Sequence, residues 1–171
     1  MSYKEPVHVR ITENAFALAL AHNDFLATLG ASDDRDIALL ACTNGAFHED
    51  DFPNSLNHFY APPPHSLPLT VPLLAICTAV GQTAPDWALT YSGNAFGLDD
   101  AHSWAYKVLA GTSRTERDVA LYNTFDALGH VMHLVQDMAQ PEHTRNDQHL
   151  TDEYAGEIGA FGDIKSSMYE E

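Results

Sequence analysis

The chain has 171 residues, 45% of them apolar, which suits one domain with a single core and excludes a disordered chain. Eight basic against 24 acidic residues give a net charge of −16, with ten histidines counted neutral. That balance disfavours a DNA-coating role resting on Lys and Arg, but not a nuclease whose metal ions supply positive charge locally.

In chain order, the opening "MSYKEPVHVRIT" lacks the basic head and apolar body of a signal peptide. Thr12 can cap a first helix reaching about Leu29, where Gly30 would end it. Asp33 and Asp34 open a second helix over 34–47. The segment "HEDDFPNSLNHFYAPPPHSLP" is rich in Pro, Asn and His and reads as an irregular loop. Leu67 to Val80, the longest apolar stretch, is broken by Pro68 and Pro72; it is too short to span a membrane and reads as a core segment. Asp99 or Asp100 starts a helix to about Gly111. Ser113, with Glu116 three residues on, forms a capping-box pattern for the longest helix, which Pro141 limits at about Met138 or Ala139. A last helical segment is expected from Ile164. Clean strand alternation is scarce, so the expected fold is all-α, a single-domain helical bundle over 1–171. Cys42 and Cys77 match no metal spacing and leave the redox compartment open.

On the longest helix, Leu121, Phe125, Leu128, Val131, Met132, Val135 and Met138 fall on one broad apolar face. Asp126, His130, His133 and Asp137 gather in a narrow arc opposite. Solvated arcs are usually built from Lys, Glu and Arg, and none of these occurs between Asp118 and Glu142. His133 and Asp137, four residues apart, project side by side at a spacing suited to one metal ion. His143 follows past Pro141, where it can serve the same ion or a neighbour. His130 reads as an orienting residue or a satisfied buried histidine. His22, His48, His65 and His102 carry no assignment, and Trp87, Trp104 and Tyr106 read as core.

The segment "HLVQDMAQPEH" resembles the His-x3-Asp-x3-Pro-x-His signature of the zinc-dependent phospholipase C and single-strand-specific nuclease superfamily. "GAFHEDD" followed by "NHFYAP" resembles that family's acidic loop and His-Phe segment, and "VHVRIT" its N-terminal histidine motif. The resemblance implies a mostly helical fold holding two or three zinc ions in a cleft. One ion would take Asp50, His58, His133 and Asp137, with Glu49 and Asp51 competing for the place of Asp50. Asp137 would bridge to a second ion that also uses His8. A third would take His143, His149 and a carboxylate, Glu170 from the Tyr-Glu of "SSMYEE" or else Glu153. The chain departs from the family in two respects. Nothing near Met1 matches the tryptophan that completes the His8 site, and the chain stops directly after the Tyr-Glu, as a C-terminally truncated domain would.

The implied activity is metal-dependent phosphodiester hydrolysis, with Asp50 bridging, orienting or deprotonating the attacking water. A phospholipid head group, met in transient contact with a membrane surface, is the first expected substrate; single-stranded nucleic acid is the alternative. The strong negative charge tilts the expectation towards lipid. A non-catalytic metal-binding module whose partner is another protein is the reading from a different class. Arg145 is a candidate for substrate phosphate, or for a surface ion pair with Glu142 or Asp147. The resemblance implies a secreted or periplasmic protein.

Overall fold

A computed structural model describes residues 6–22, 32–62, 68, 70–73, 76–79 and 81–145. The chain is mostly helical. Helix α1 runs Pro6–His22, α2 Ser32–His48, α3 Ala84–Leu89, α4 Leu98–Ala110, α5 Arg114–Asp137 and α6 Pro141–Arg145. A 3-10 turn spans Asn54–Asn57. Strands β1, Thr70–Leu73, and β2, Ile76–Ala79, pair antiparallel as a hairpin, with Thr70 opposite Ala79. Among the described residues, no helix is long and apolar enough to cross a membrane.

The longest helix begins as its sequence dictates. Ser113 accepts a hydrogen bond from the Glu116 amide at 3.2 Å, and the Glu116 carboxylate accepts from the Ser113 amide at 3.2 Å. The first helix does not follow the expected boundary. It starts at Pro6, a residue suited to the first helical turn, and Thr12 lies fully buried within it. The Thr12 hydroxyl accepts from Gln136 Nε2 at 3.0 Å on α5, so a tertiary contact takes the side chain that local sequence offers as a cap. Neither α3 nor the hairpin was foreseen. Helix α3 is only six residues long, too short for periodicity, though Thr83 caps it by accepting from the Asp86 amide at 3.2 Å. The expected helix end at Leu29 and Gly30 and the segment from Ile164 lie outside the described residues.

Helix α5 is the axis of the fold. It packs most extensively against α2, and also against α4, α1 and α3. The α2–α5 seam brings Ala46 and Cys42 of α2, with the buried Ala38 and Ala41 on the same helix, against the face of α5 that carries Asp126, Gly129, His130 and His133. At its centre the backbones touch. A Cβ on Gly45 would fall 2.0 Å from the Asp126 carbonyl oxygen, and one on Gly129 would fall 2.1 Å from that of Cys42. The same helical spacing carries the α2 seam on to Glu49 and the α5 seam on to His130, His133 and Asp137. Small residues draw the helices together, and the titratable groups occupy the end of the seam.

The two faces of α5 are correspondingly reversed from expectation. Asp126, His130, His133 and Asp137 are buried, whereas Val135 of the apolar face is 67% exposed and Phe125, Leu128, Val131, Met132 and Met138 are only partly buried. Leu121 alone of that face is buried, and Leu134 joins Trp87, Ala84 and Ala88 in a small core cluster. Of the other aromatics, Trp87 is buried as expected, while Tyr106 is exposed.

Candidate metal centre

The end of the seam collects His8 from α1, Asp50 and His58 from the loop after α2, His133 and Asp137 from α5, and His143 from α6. Asp137 stands at the centre, buried and with its two oxygens divided. Oδ1 faces His8 Nε2 at 3.4 Å. Oδ2 faces His58 Nδ1 at 2.8 Å, His133 Nε2 at 3.3 Å and His143 Nδ1 at 3.5 Å. Asp50 Oδ1 closes the second group, 3.4 Å from His133 Nε2 and 3.7 Å from His58 Nδ1.

Each ring is held by its other nitrogen. His133 Nδ1 donates to the Ala46 carbonyl at 2.6 Å, and His58 Nε2 donates to the Glu49 carbonyl at 3.1 Å. His8 Nδ1 donates to Gln136 Oε1 at 2.9 Å, and that amide is itself fixed by Thr12. These bonds select the tautomer that turns the remaining nitrogen of His133, His58 and His8 towards Asp137, as orienting partners of metal-bound imidazoles do. His143 differs: its Nδ1 donates to the His58 carbonyl at 3.2 Å, and its ring stacks on Phe59 at 4.9 Å. His8 and His133 stack at 3.9 Å.

The donor set fits a metal ion. Among the described residues, His133 Nε2 and both Asp137 oxygens are buried polar atoms without a well-aligned hydrogen bond, held by the ion pairs of Asp137 with the surrounding rings. Metal–ligand bonds of about 2.0–2.1 Å in a tetrahedron place ligand atoms roughly 3.3 Å apart. The separations around His133, Asp50, His58 and Asp137 scatter about that length. Carboxylate oxygens and imidazoles make up the set, and no thiolate enters it. The Cys42 thiol lies apart against Met132 Sδ at 3.5 Å, and burial, with the Asp126 charge, pushes its pKa up to about 12.

Electrostatics tie the cluster together. Burial alone would raise Asp137, but the charges of His133 and His58 hold its pKa well below the usual carboxylate range. Burial pushes His133 down, and the Asp137 and Asp50 carboxylates overcome this and carry it well above its ordinary 6.5. His58 is raised by the same balance, burial against Asp137. His8 is lowered, by burial and by the His133 charge. Burial likewise opposes ionisation of Asp50, and hydrogen bonding to and the charge of His133 outweigh it.

The carboxylates thus raise the affinity of His133 and His58 for protons, and a metal ion would compete for the ring nitrogens with those protons. Metal binding is expected to release them, and affinity should fall as pH drops below the raised values, by about one decade per pH unit per proton released. Titration calorimetry in buffers of different ionisation enthalpy measures the release; a buffer-independent heat would contradict it.

The structure thus brings together His8, Asp50, His58, His133, Asp137 and His143. Glu49, a competitor for the place of Asp50, turns instead into the protein, and Asp51 pairs with the exposed His48 at 2.7 Å. Asp126, on the expected arc, lies 3.4 Å from Asn44 and belongs to a separate contact. His149, Glu153 and Glu170 lie outside the described residues, as do His65 and the side chains of Glu142 and Arg145. Sequence reasoning missed Gln136 and the Ala46 and Glu49 carbonyls as orienting groups. Gln136, three residues after His133, was within reach of the periodicity; the carbonyls carry no side-chain signal. No family model matches the chain, and no curated protein or solved structure matches it.

Proposed function

We propose that the chain is a zinc-dependent phosphodiester hydrolase of the phospholipase C type. The observation that carries the reading is the central Asp137. It is a buried carboxylate surrounded by oriented imidazoles, with one oxygen facing His8 and the other facing His58, His133 and His143. That division suits two zinc ions bridged by one carboxylate: Asp50, His58, His133 and Asp137 would hold one, and His8 and Asp137 would hold the other. His143, with His149 and Glu170, would serve a third. Bound zinc supplies a water of near-neutral pKa and a Lewis acid for the phosphate oxygens.

The chain's own residues do the rest. His58 and His133, fixed by backbone carbonyls, hold the cluster rigid through the reaction. Asp50, a third exposed where Asp137 and His133 are closed off, is the carboxylate of the cluster that solvent reaches, and it orients or deprotonates the attacking water. The lipid substrate accords with the strongly acidic chain. A specific observation favours single-stranded nucleic acid as the second reading: Phe52, two residues after Asp50, is 60% exposed and could stack a base.

The test is metal analysis of the purified protein with parallel assays on a phosphocholine ester and on single-stranded DNA. More than one zinc equivalent is expected, with turnover of the ester lost on chelation and restored by zinc. Asp50→Asn should slow that turnover by roughly 100-fold or more. A folded protein that binds no zinc would sink the proposal, cleavage of DNA alone would select the nuclease, and zinc with no Asp50-dependent rate would select a binding module.

A further inference from the structure

Glu49 is a buried acid outside the metal cluster. It lies one residue past the end of α2 with its side chain fully enclosed. Its oxygens are divided between two donors: Oε1 accepts from Trp87 Nε1 at 2.9 Å on α3, and Oε2 accepts from His130 Nδ1 on α5. Asn54 Nδ2 stands 3.5 Å from Oε2, and Phe96 stacks on the His130 ring at 4.1 Å. Burying a carboxylate costs several kcal/mol unless charge-assisted hydrogen bonds compensate it, and here donors from two helices converge on it.

The carboxylate does not face the point shared by the metal-binding groups. Oε1 is 3.8 Å from His58 Nε2, and that nitrogen gives its proton to the backbone carbonyl of Glu49 at 3.1 Å. The residue anchored by His130 and Trp87 therefore supplies the carbonyl that orients His58, and the next peptide carries Asp50. Two members of one metal position hang from a single clamped residue.

We propose that Glu49 is the positioning residue for the metal position made by Asp50, His58 and His133. His130 and Trp87 clamp its carboxylate, and this fixes the backbone that sets the His58 ring and presents Asp50. Only a carboxylate can accept from both donors through separate oxygens; glutamine would turn an NH2 group onto one of them. The role rests on the zinc reading above.

The experiment is stepwise zinc titration against a competing chelator, with thermal unfolding of the metal-free protein recorded alongside. Glu49→Gln should weaken one zinc equivalent by about 10- to 100-fold and leave the others within about twofold, even where the lost buried charge lowers the metal-free Tm. Unchanged binding in Glu49→Gln overturns the proposal. So does a parallel weakening of every equivalent together with a lowered metal-free Tm, because that is the mark of a purely structural tie. If Glu49→Gln does not fold, Trp87→Phe alone is read in the same way: selective weakening of one equivalent supports the role, and unchanged or uniform binding overturns it. Wild-type protein without zinc overturns the metal reading itself, a result distinct from zinc-binding protein indifferent to Glu49.

Discussion

On the proposed zinc phosphodiesterase reading, Asp137→Asn is expected to abolish zinc binding and to slow phosphodiester hydrolysis by at least about a thousandfold. The size follows from the several kcal/mol of charge stabilisation a metal supplies, each 1.4 kcal/mol being about a factor of ten. Asp137 Oδ1 faces His8 and Oδ2 faces His58 and His133, so its carboxylate reaches ligands of both groups. Asparagine presents one neutral oxygen and, on the other side, an NH2 group that repels a cation. The variant also removes the charge that raises the proton affinity of His133 and His58, so any proton release on adding zinc should shrink with the binding. Metal analysis and calorimetry measure both effects. A variant that keeps its full zinc content would remove Asp137 from the bridging position and with it the two-ion arrangement.

The second large effect lies away from the chemistry. Gly129→Ala places a methyl group 2.1 Å from the Cys42 carbonyl oxygen and 2.9 Å from the Ala46 amide nitrogen, where ordinary contact needs well over 3 Å. The obstruction is helix backbone, which cannot swing aside, so α2 and α5 must move apart. Overpacking costs roughly 1–3 kcal/mol and occasionally more, set against about 1 kcal/mol gained from alanine's helix propensity. With the cost near the top of that range, because the obstruction is backbone, a net loss of about 2 kcal/mol should lower the metal-free Tm by roughly 4–8 °C for a domain of this size. Separation also draws the Ala46 carbonyl from His133 Nδ1, so zinc affinity should fall although no ligand is altered. Gly45→Ala strains the same crossing from the other side, against the Asp126 carbonyl. The double variant should therefore cost clearly less than the two single effects added. Full additivity, or a Tm within about 1 °C of wild type for either single variant, would show that the crossing does not govern the site.

What could be read from the sequence was local. His133 and Asp137 lie one helical turn apart on one chain segment, so their pairing follows from helix geometry alone, and Ser113 with Glu116 marks its start within four residues. Asp50 and His58 depended on resemblance, and the structure does place them against His133. The burial of the polar arc was hidden because it depends on what α2 presents. Alanines and Gly45 let that helix approach closely, and a hydrophobicity pattern along α5 alone assigns the core to the side with Val135. The orienting carbonyls of Ala46 and Glu49 were equally hidden, since every residue has a carbonyl and only the helix crossing decides which one a histidine meets. Glu49 and Asp50 are adjacent acids of the same type. The chain turns one towards Trp87 and His130 and the other towards His133, a choice made by residues far away in the chain.

The alanine-rich seam also has a consequence for how the domain holds together. Its buried side chains are small, so each contributes little apolar area, and the largest fully enclosed groups include His133, Glu49 and Asp137. Ions bound there would join residue 8 to residue 137 and residue 50 to residue 133, acting as cross-links that close long loops and remove freedom from the unfolded chain. An ion held there would serve as mortar between the helices, and a chelator that removed it would loosen the whole helical assembly.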